Sequence, residues 1–388
     1  MQKETRYLSA VAILALMLSC VGLYYGYTAS EQLTSLRQQV ASAAAFNDLI
    51  KTEPTIARYL EAYKELGDVL VGATKEGKVY FYSSQVAAQT AELVNAFRKK
   101  YPFIEVEWMF LSTWELYNRF TAEQKAGKHL TDVVLYSGPG AMLRSISDGF
   151  IDPLPKDKET ENFPTDVVDP QGRFVSIVQH WICPGVNTKL PKELWPKDWT
   201  DFLNPKPEWK SISIYDPRVA ATGYALVYQI WKAYGEDKAA AFWKAIATMN
   251  PKFFTGTVPL MESLIAGEHL VTTCMVGYQY GPYVIDKKAP AELIVPTSGF
   301  GYTLDGTVGL VKGAPHPNAA RLLIHFLLSK EAGDYYKTLY RYSTRKDATP
   351  PTGLPDVRGV KKLALMDDAE AERIRDELLA KWAKWMGL

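Results

Sequence analysis

Between Lys78 and Gly149 the chain alternates three short apolar runs with three helical stretches, and that alternation leaves few folds open. KVYFYSS is rich in aromatic and β-branched residues and reads as a strand ending in Ser83 and Ser84. AAQTAELVNAFRKKYP follows, with Ala87, Ala91, Val94 and Phe97 along one helical side; Lys99, Lys100 and Pro102 close it. A second strand, FIEVEWMF, runs into Ser112-Thr113-Trp114-Glu115, a capping box that starts a helix ending near Gly127. A third, DVVLY, leads to Ser137-Gly138-Pro139-Gly140 and a short helix ending at Gly149. This order predicts an α/β fold with a parallel sheet and helices on both faces.

Strand-to-helix loops of a parallel sheet gather at its carboxyl edge, where such folds bind ligands. Each loop here supplies hydroxyls and free helix amides: Ser83 and Ser84, Ser112 and Thr113, Ser137 and Gly138. Amides and positive dipole ends suit a carboxylate, phosphate or phosphonate. Serine and threonine are also ordinary N-caps, so each loop alone has a structural explanation, Ser112 above all. Their convergence on one edge is what predicts an anion-binding crevice.

Further along, SISIYDP reads as a strand and TGYALVYQIWKAYG as a helix with Gly223 near its start and Gly235 at its end. LVTTCMVGYQY reads as another strand. RLLIHFLL puts His325 on an apolar helix, as a core residue, and AEAERIRDELLAKWAKWMGL is an amphipathic helix carrying Leu378, Trp382 and Trp385. The five histidines lack metal-ligand spacing, and no nucleophile elbow, His-Glu-x-x-His helix or P-loop occurs. An enzyme is therefore not expected, nor a resident cofactor. Cys183 and Cys274 are either a disulfide or two buried free thiols. A net charge of +1 gives no reason to expect nucleic acid, and 388 residues at 47% hydrophobic suffice for two packed lobes.

At the N-terminus, Lys3 and Arg6 precede an uncharged stretch from Tyr7 to Tyr27, long enough to cross roughly 30 Å of hydrocarbon. Positive charge ahead of it, and none just behind, directs the rest of the chain out of the cytoplasm. Three readings fit: an uncleaved transmembrane anchor over residues 1–27, a cleaved leader, or a lipoprotein modified at Cys20. All three export the protein. Residues 28–76 read as a helical spacer, through Leu33, Leu36 and Val40 and then Tyr59, Leu60 and Tyr63. It is either a short coiled-coil stalk or helices lying against the globular part.

From about residue 77 the sequence resembles the extracellular solute-binding proteins of ABC importers, of the ferric-iron, aminoethylphosphonate and thiamine type. YSGPGAMLRSISDGFIDPLPK, the stretch from PGVNTKLP to SISIYDP, ATGYALVYQIWKAYGEDKAAAFWKAI and LIAGEHLVTTCMVGY follow the family's order. GTVGLVKGAPHPNAARLLIHFLLSKEAG is the most specific match. The resemblance implies a two-lobed, type II periplasmic-binding-protein-like fold that closes at a hinge. Lobe one would be residues 77–180 plus 288–388 and lobe two residues 181–287, with the last helix packing on lobe one. Implied partners are a membrane permease, its ATPase and a small ligand, which would be an anion or ferric iron as cargo. A membrane-tethered sensor built on the same fold is the other reading, kept open by the spacer.

The resemblance also implies ligand residues, with departures. Iron-binding members place two consecutive tyrosines where this chain has Gly277-Tyr278-Gln279-Tyr280. If that segment is extended, Tyr278 and Tyr280 face one side, either as phenolate ligands to ferric iron or as an aromatic wall. Relatives carry a serine after the Asp-Pro that holds an anion; here Asp216-Pro217 is followed by Arg218 and Thr222 instead. Arg218 would grip an anion bidentately or form a surface or inter-lobe salt bridge. The broken tyrosine pair and the missing serine favour an organic anion or oxyanion over iron.

Overall fold

The computed structural model describes residue 62 and residues 65–388, apart from 355, 357–359 and 365–366. The expected membrane segment, 1–27, and most of the spacer lie outside these residues; among the described ones no helix is long and apolar enough to cross a membrane. The chain divides into two compact units. One takes the chain through Leu135 with Gly149–Pro155 and Gly309–Leu327; the other takes Tyr136–Asp148, Lys156–Val308 and Leu328–Leu388. These units follow where the chain packs. The expected lobes are parts that would rotate about a hinge, and their boundaries stay a proposal.

In the first unit the predicted alternation is realised. Strand β1 (Lys78–Ser83) pairs in parallel with β2 (Glu105–Phe110) on one side and β3 (Val133–Tyr136) on the other, Val79 opposite Val106 and Phe81 opposite Val133. Helices Ala87–Lys100 and Thr113–Lys125 connect them, burying Leu93, Val94, Phe97, Leu116 and Phe120. The Ser112 capping box forms, with the Ser112 hydroxyl 2.6 Å and its amide 3.2 Å from Glu115 Oε2. The end of the expected spacer belongs to this packed body. Helix Asp68–Glu76 buries Leu70 and Ala73, stops at left-handed Gly77, and its Glu76 carboxylate accepts from the amides of Asn318 (3.2 Å) and Ala319 (2.7 Å). That carboxylate caps the positive end of helix Pro317–Leu328, whose His325 is buried as expected. A short strand β4 (Ile151–Asp152) pairs antiparallel with Val311 and Leu310.

The second unit is built on β5 (Phe174–Asn187), fourteen residues long and buried along nearly its whole length. β6 (Ile212–Tyr215) runs parallel to β7 (Lys252–Phe254) and to β8 (Val271–Met275). β5 pairs antiparallel with β8, β9 (Ala291–Leu293) and β11 (Tyr342–Ser343), and β10 (Gly301–Val311) lies beside it. The helical stretch Ala221–Ala247 breaks at Gly235 (φ 77°), where the sequence predicts its end, and resumes. Only glycine takes that backbone turn without strain.

Two expectations fail here. The C-terminal helix Arg375–Met386 does not find its main partner in the segments assigned to lobe one. It lies on helix Ala221–Ala247, inside the stretch assigned to lobe two, with Trp382 edge-on to Trp243 (6.2 Å) and Phe253 (5.9 Å). The apolar side that sequence periodicity finds on a helix does not say which partner covers it. Nor does the strand through Cys274 extend to Tyr280. It stops at Met275, and Gly277–Tyr280 is a helical turn leading into a π-helical turn, Gly281–Asp286. The glycines explain this: a Cβ at Gly281 would lie 2.0 Å from the Tyr340 ring, so only glycine permits the turn to sit there.

Candidate functional site

In the second unit the parallel strands β6, β7 and β8 deliver three loops to one carboxyl edge. β6 leads to Asp216 and helix Ala221–Ala247; β7 leads through Thr255 and Gly256 to helix Thr257–Ala266; β8 leads to the turn Gly277–Tyr280. Gln279 ties all three together. Its side-chain oxygen accepts from the Tyr215 hydroxyl (3.1 Å), and its amide nitrogen donates to the Thr257 carbonyl. A helical turn puts residues two apart on different sides, so Tyr278 and Tyr280 diverge. Tyr280 packs near Met261, Leu264 and Ala291 and donates to Glu292 (2.8 Å); Tyr278 packs toward the larger core and His180.

Beneath Tyr278 lies a buried polar cluster. The Arg341 guanidinium carbon sits 4.6 Å from the Tyr278 ring centroid, and the His180 ring meets Tyr278 edge-on at 4.7 Å. Asp305 Oδ2 is shared: His180 Nε2 lies 2.6 Å away and Arg341 Nη1 also donates to it. A carboxylate only accepts, so Nε2 carries the proton of neutral His180. His180 and Asp305 are each 6% exposed and Arg341 3%. Burial, then the neighbouring Arg341 charge, lower the His180 pKa, while Asp305 opposes both. Burial alone would raise Asp305, but the Arg341 charge and the His180 hydrogen bond outweigh it and hold the carboxyl well below its usual range. The Tyr278 hydroxyl is pushed up to about 12 by burial, with Arg341 pulling the other way. Arg341 Nε is buried and has no hydrogen-bond partner among the described residues.

The residues expected at the site fare unevenly. Ser83 is fully buried and bonds Thr90 (2.9 Å) and the Gln85 amide (3.2 Å), locking the β1 turn. Thr113 donates to Ser84 (3.2 Å), so the first unit does bring two predicted loops together, while Ser112 serves its cap. Ser137 and Gly138 precede helix Pro139–Ser147, with Gly138 at φ 106° as its N-cap. Arg218 grips its own neighbour Asp216 through two donors (2.9 and 2.7 Å) and lies over Phe253 and Trp382. Thr222 sits half-buried in the first turn of the following helix. The expected common side for Tyr278 and Tyr280 is corrected, because the segment is helical. Cys183 and Cys274 are buried free thiols, both pushed up by burial.

Sequence reasoning missed His180, Asp305 and Arg341. The signal present was a charged residue inside an apolar strand, Asp305 in GYTLDGTVGLV, since an acid buried in a strand needs a partner. A hollow of about 400 Å³, lined by Gln179, Tyr342 and Phe300 among others, opens elsewhere in this unit, and alternation along β5 turns Gln179 away from His180. Two cations on its wall are already paired, Lys362 with Asp166 and Arg345 with Glu159 and Asp347.

Tyr278 over the buried Arg341 guanidinium is the one cation-π contact at this loop edge that joins a buried charge to an ionisable ring among the described residues. Residues 128–358 match the family described as bacterial extracellular solute-binding protein. The chain belongs to that family. It is 27% identical over 269 residues to an uncharacterized protein of Haemophilus influenzae, covering 67% of this chain and 75% of the relative. It is 26% identical over 224 residues to a Salmonella typhi periplasmic protein named for 2-aminoethylphosphonate binding, covering 55% of this chain and 65% of that one. Among solved structures, this solute-binding protein resembles AfuA from Actinobacillus pleuropneumoniae with fructose-6-phosphate bound (TM-score 0.67, 22% identity, 80% of this chain and 99% of that one). It also resembles iron-bound HitA from Pseudomonas aeruginosa (TM-score 0.66, 19% identity, 80% and 99%). At these identities the structural likeness establishes the fold, a two-lobed periplasmic-binding-protein-like α/β fold.

Proposed function

We propose that this chain is the extracytoplasmic receptor of an ABC importer, capturing a small anionic solute or ferric iron and delivering it to a membrane permease and its ATPase. The family match over residues 128–358 carries this reading. The relative named for 2-aminoethylphosphonate, and the neighbours with fructose-6-phosphate or iron, support a ligand from these two classes. The protein works outside the cytoplasm, with residues 1–27 as its export segment or anchor. Its ligand residues are drawn from Tyr278, Tyr280, Ser84, Thr113, Ser137, Gly138 and Thr222. Ser83 and Ser112 are occupied by turn and cap bonds. Arg218, bonded to Asp216, would have to release that carboxylate to serve.

Binding at such a site is read directly by native mass spectrometry of the protein purified from its own cells. An adduct with the mass of a small phosphorylated or carboxylated solute, or of iron, is expected. Bare protein that also shows no thermal shift with either class would contradict the reading.

A further inference from the structure

Resting on that reading, we infer that Arg341, held by Asp305 beside neutral His180, sets the Tyr278 side of the site for an anion and against a ferric ion. Four elements converge to build this arrangement: β5 brings His180, β10 brings Asp305, the turn after β8 brings Tyr278, and Arg341 immediately precedes β11. A chain does not bury a guanidinium under a half-buried tyrosine without cost, because both ions of the pair leave water. Asp305 offsets that cost through its Oδ2, which accepts from Arg341 Nη1. The guanidinium carbon also lies 4.6 Å from the Tyr278 ring centroid, and its Nε has no hydrogen-bond partner among the described residues.

The sign of the field follows from the order of the layers. Arg341 is the cation in contact with the Tyr278 ring, 4.6 Å from its centroid, and it favours the ionised form of the Tyr278 hydroxyl. A negative group touching the phenol is therefore drawn toward that guanidinium. An anion is attracted to such a place, and a trivalent cation is repelled three times as strongly as a monovalent one. Ligand geometry points the same way. Ferric iron asks for several hard oxygen donors converging on one point. Tyr278 and Tyr280 leave their helical turn in different directions, and the Tyr280 phenol is held by Glu292. One phenol above one guanidinium is a complement for a single oxyanion group, such as a phosphonate, phosphate ester or carboxylate. Arg341 is thus a positioning residue, acting through the Tyr278 ring and its own charge. Asp305 fixes the guanidinium, and neutral His180 wedges the ring.

Two probes test this in the full chain: 2-aminoethylphosphonate and ferric nitrilotriacetate, with wild type, Arg341→Gln and Arg341→Lys. Wild type is expected to bind the phosphonate and to show no visible phenolate-to-iron band. Arg341→Gln should weaken the phosphonate about tenfold or more, and Arg341→Lys should restore most of the loss, since a charge-assisted interaction survives the exchange. Ultraviolet titration should also show the Tyr278 phenol ionising at higher pH in Arg341→Gln than in wild type, which loss of packing alone would not produce. If Arg341→Gln fails to fold, Arg341→Lys alone decides: lost phosphonate binding in a folded protein overturns the inference. A visible iron band in wild type overturns the inference while leaving the solute-binding reading intact. Wild type that binds neither probe overturns both.

Discussion

Asp305 and His180 face each other across neighbouring strands with 2.6 Å between carboxylate and imidazole, and the same carboxylate oxygen takes a donor from Arg341. A carboxylate with two buried donors on one oxygen is a fixed point in the second unit. Around it are layered the cation Arg341 and then the aromatic ring of Tyr278.

The first prediction removes the acid. Asp305→Asn leaves the Arg341 charge buried without its counter-ion and should cost about 3–5 kcal/mol of stability. Urea unfolding followed by tryptophan fluorescence measures it. A loss below about 1 kcal/mol, the range of an exposed pair, would mean that water reaches the cluster.

The second concerns pH. His180 is held neutral, its pKa lowered by burial and by Arg341, so the unfolded chain takes up a proton that the folded chain refuses. Stability should therefore fall as pH drops below about 6.5, the ordinary histidine value. Asp305, also lowered, adds a further loss in stronger acid, as pH falls from the ordinary carboxylate range toward its folded value. Melting curves from pH 7.5 to 5 should steepen downward, and His180→Gln should flatten that part of the profile. An identical slope in the variant would assign the acid loss to other groups.

The third separates a cap from a ligand. Ser112 spends its hydroxyl and amide on Glu115. Ser112→Ala should cost roughly 0.5–2 kcal/mol of stability and leave ligand affinity unchanged. Altered affinity with an unaltered melting temperature would reverse the assignment.

These predictions show where the sequence was informative. The order of strands and helices from Lys78 to Ser147 was legible because each element is local, with its own periodicity and caps, and Ser112-x-x-Glu115 states its helix start in four letters. The break at Gly235 was legible for the same reason. The turn at Gly277–Tyr280 was not: aromatic and β-branched residues suggest a strand, while Gly277 and Gly281 mark the close approach of Tyr340 and Tyr342 from over fifty residues away. Arg218 stayed open between an anion grip and a salt bridge because nothing in a spacing of two says that Asp216 will claim both its donors. The Asp305, His180 and Arg341 cluster joins residues 36 to 161 positions apart, a relationship that only the fold reveals.

The fourth prediction splits the tyrosines. Tyr278→Phe should weaken an anionic ligand by about 1.5–3 kcal/mol, the loss of a hydrogen bond to a charged group. Tyr280→Phe, whose hydroxyl is engaged with Glu292, should leave binding unchanged. Calorimetry with the same anion on both variants makes the comparison; equal losses would mean that the two phenols converge after all.

The most direct measurement is a crystal structure with the native ligand bound. The account predicts an oxyanion group within hydrogen-bond distance of the Tyr278 hydroxyl, with the Arg341 guanidinium still beneath the ring and held by Asp305. A ligand, ferric or organic, bound with Tyr278 untouched would contradict it.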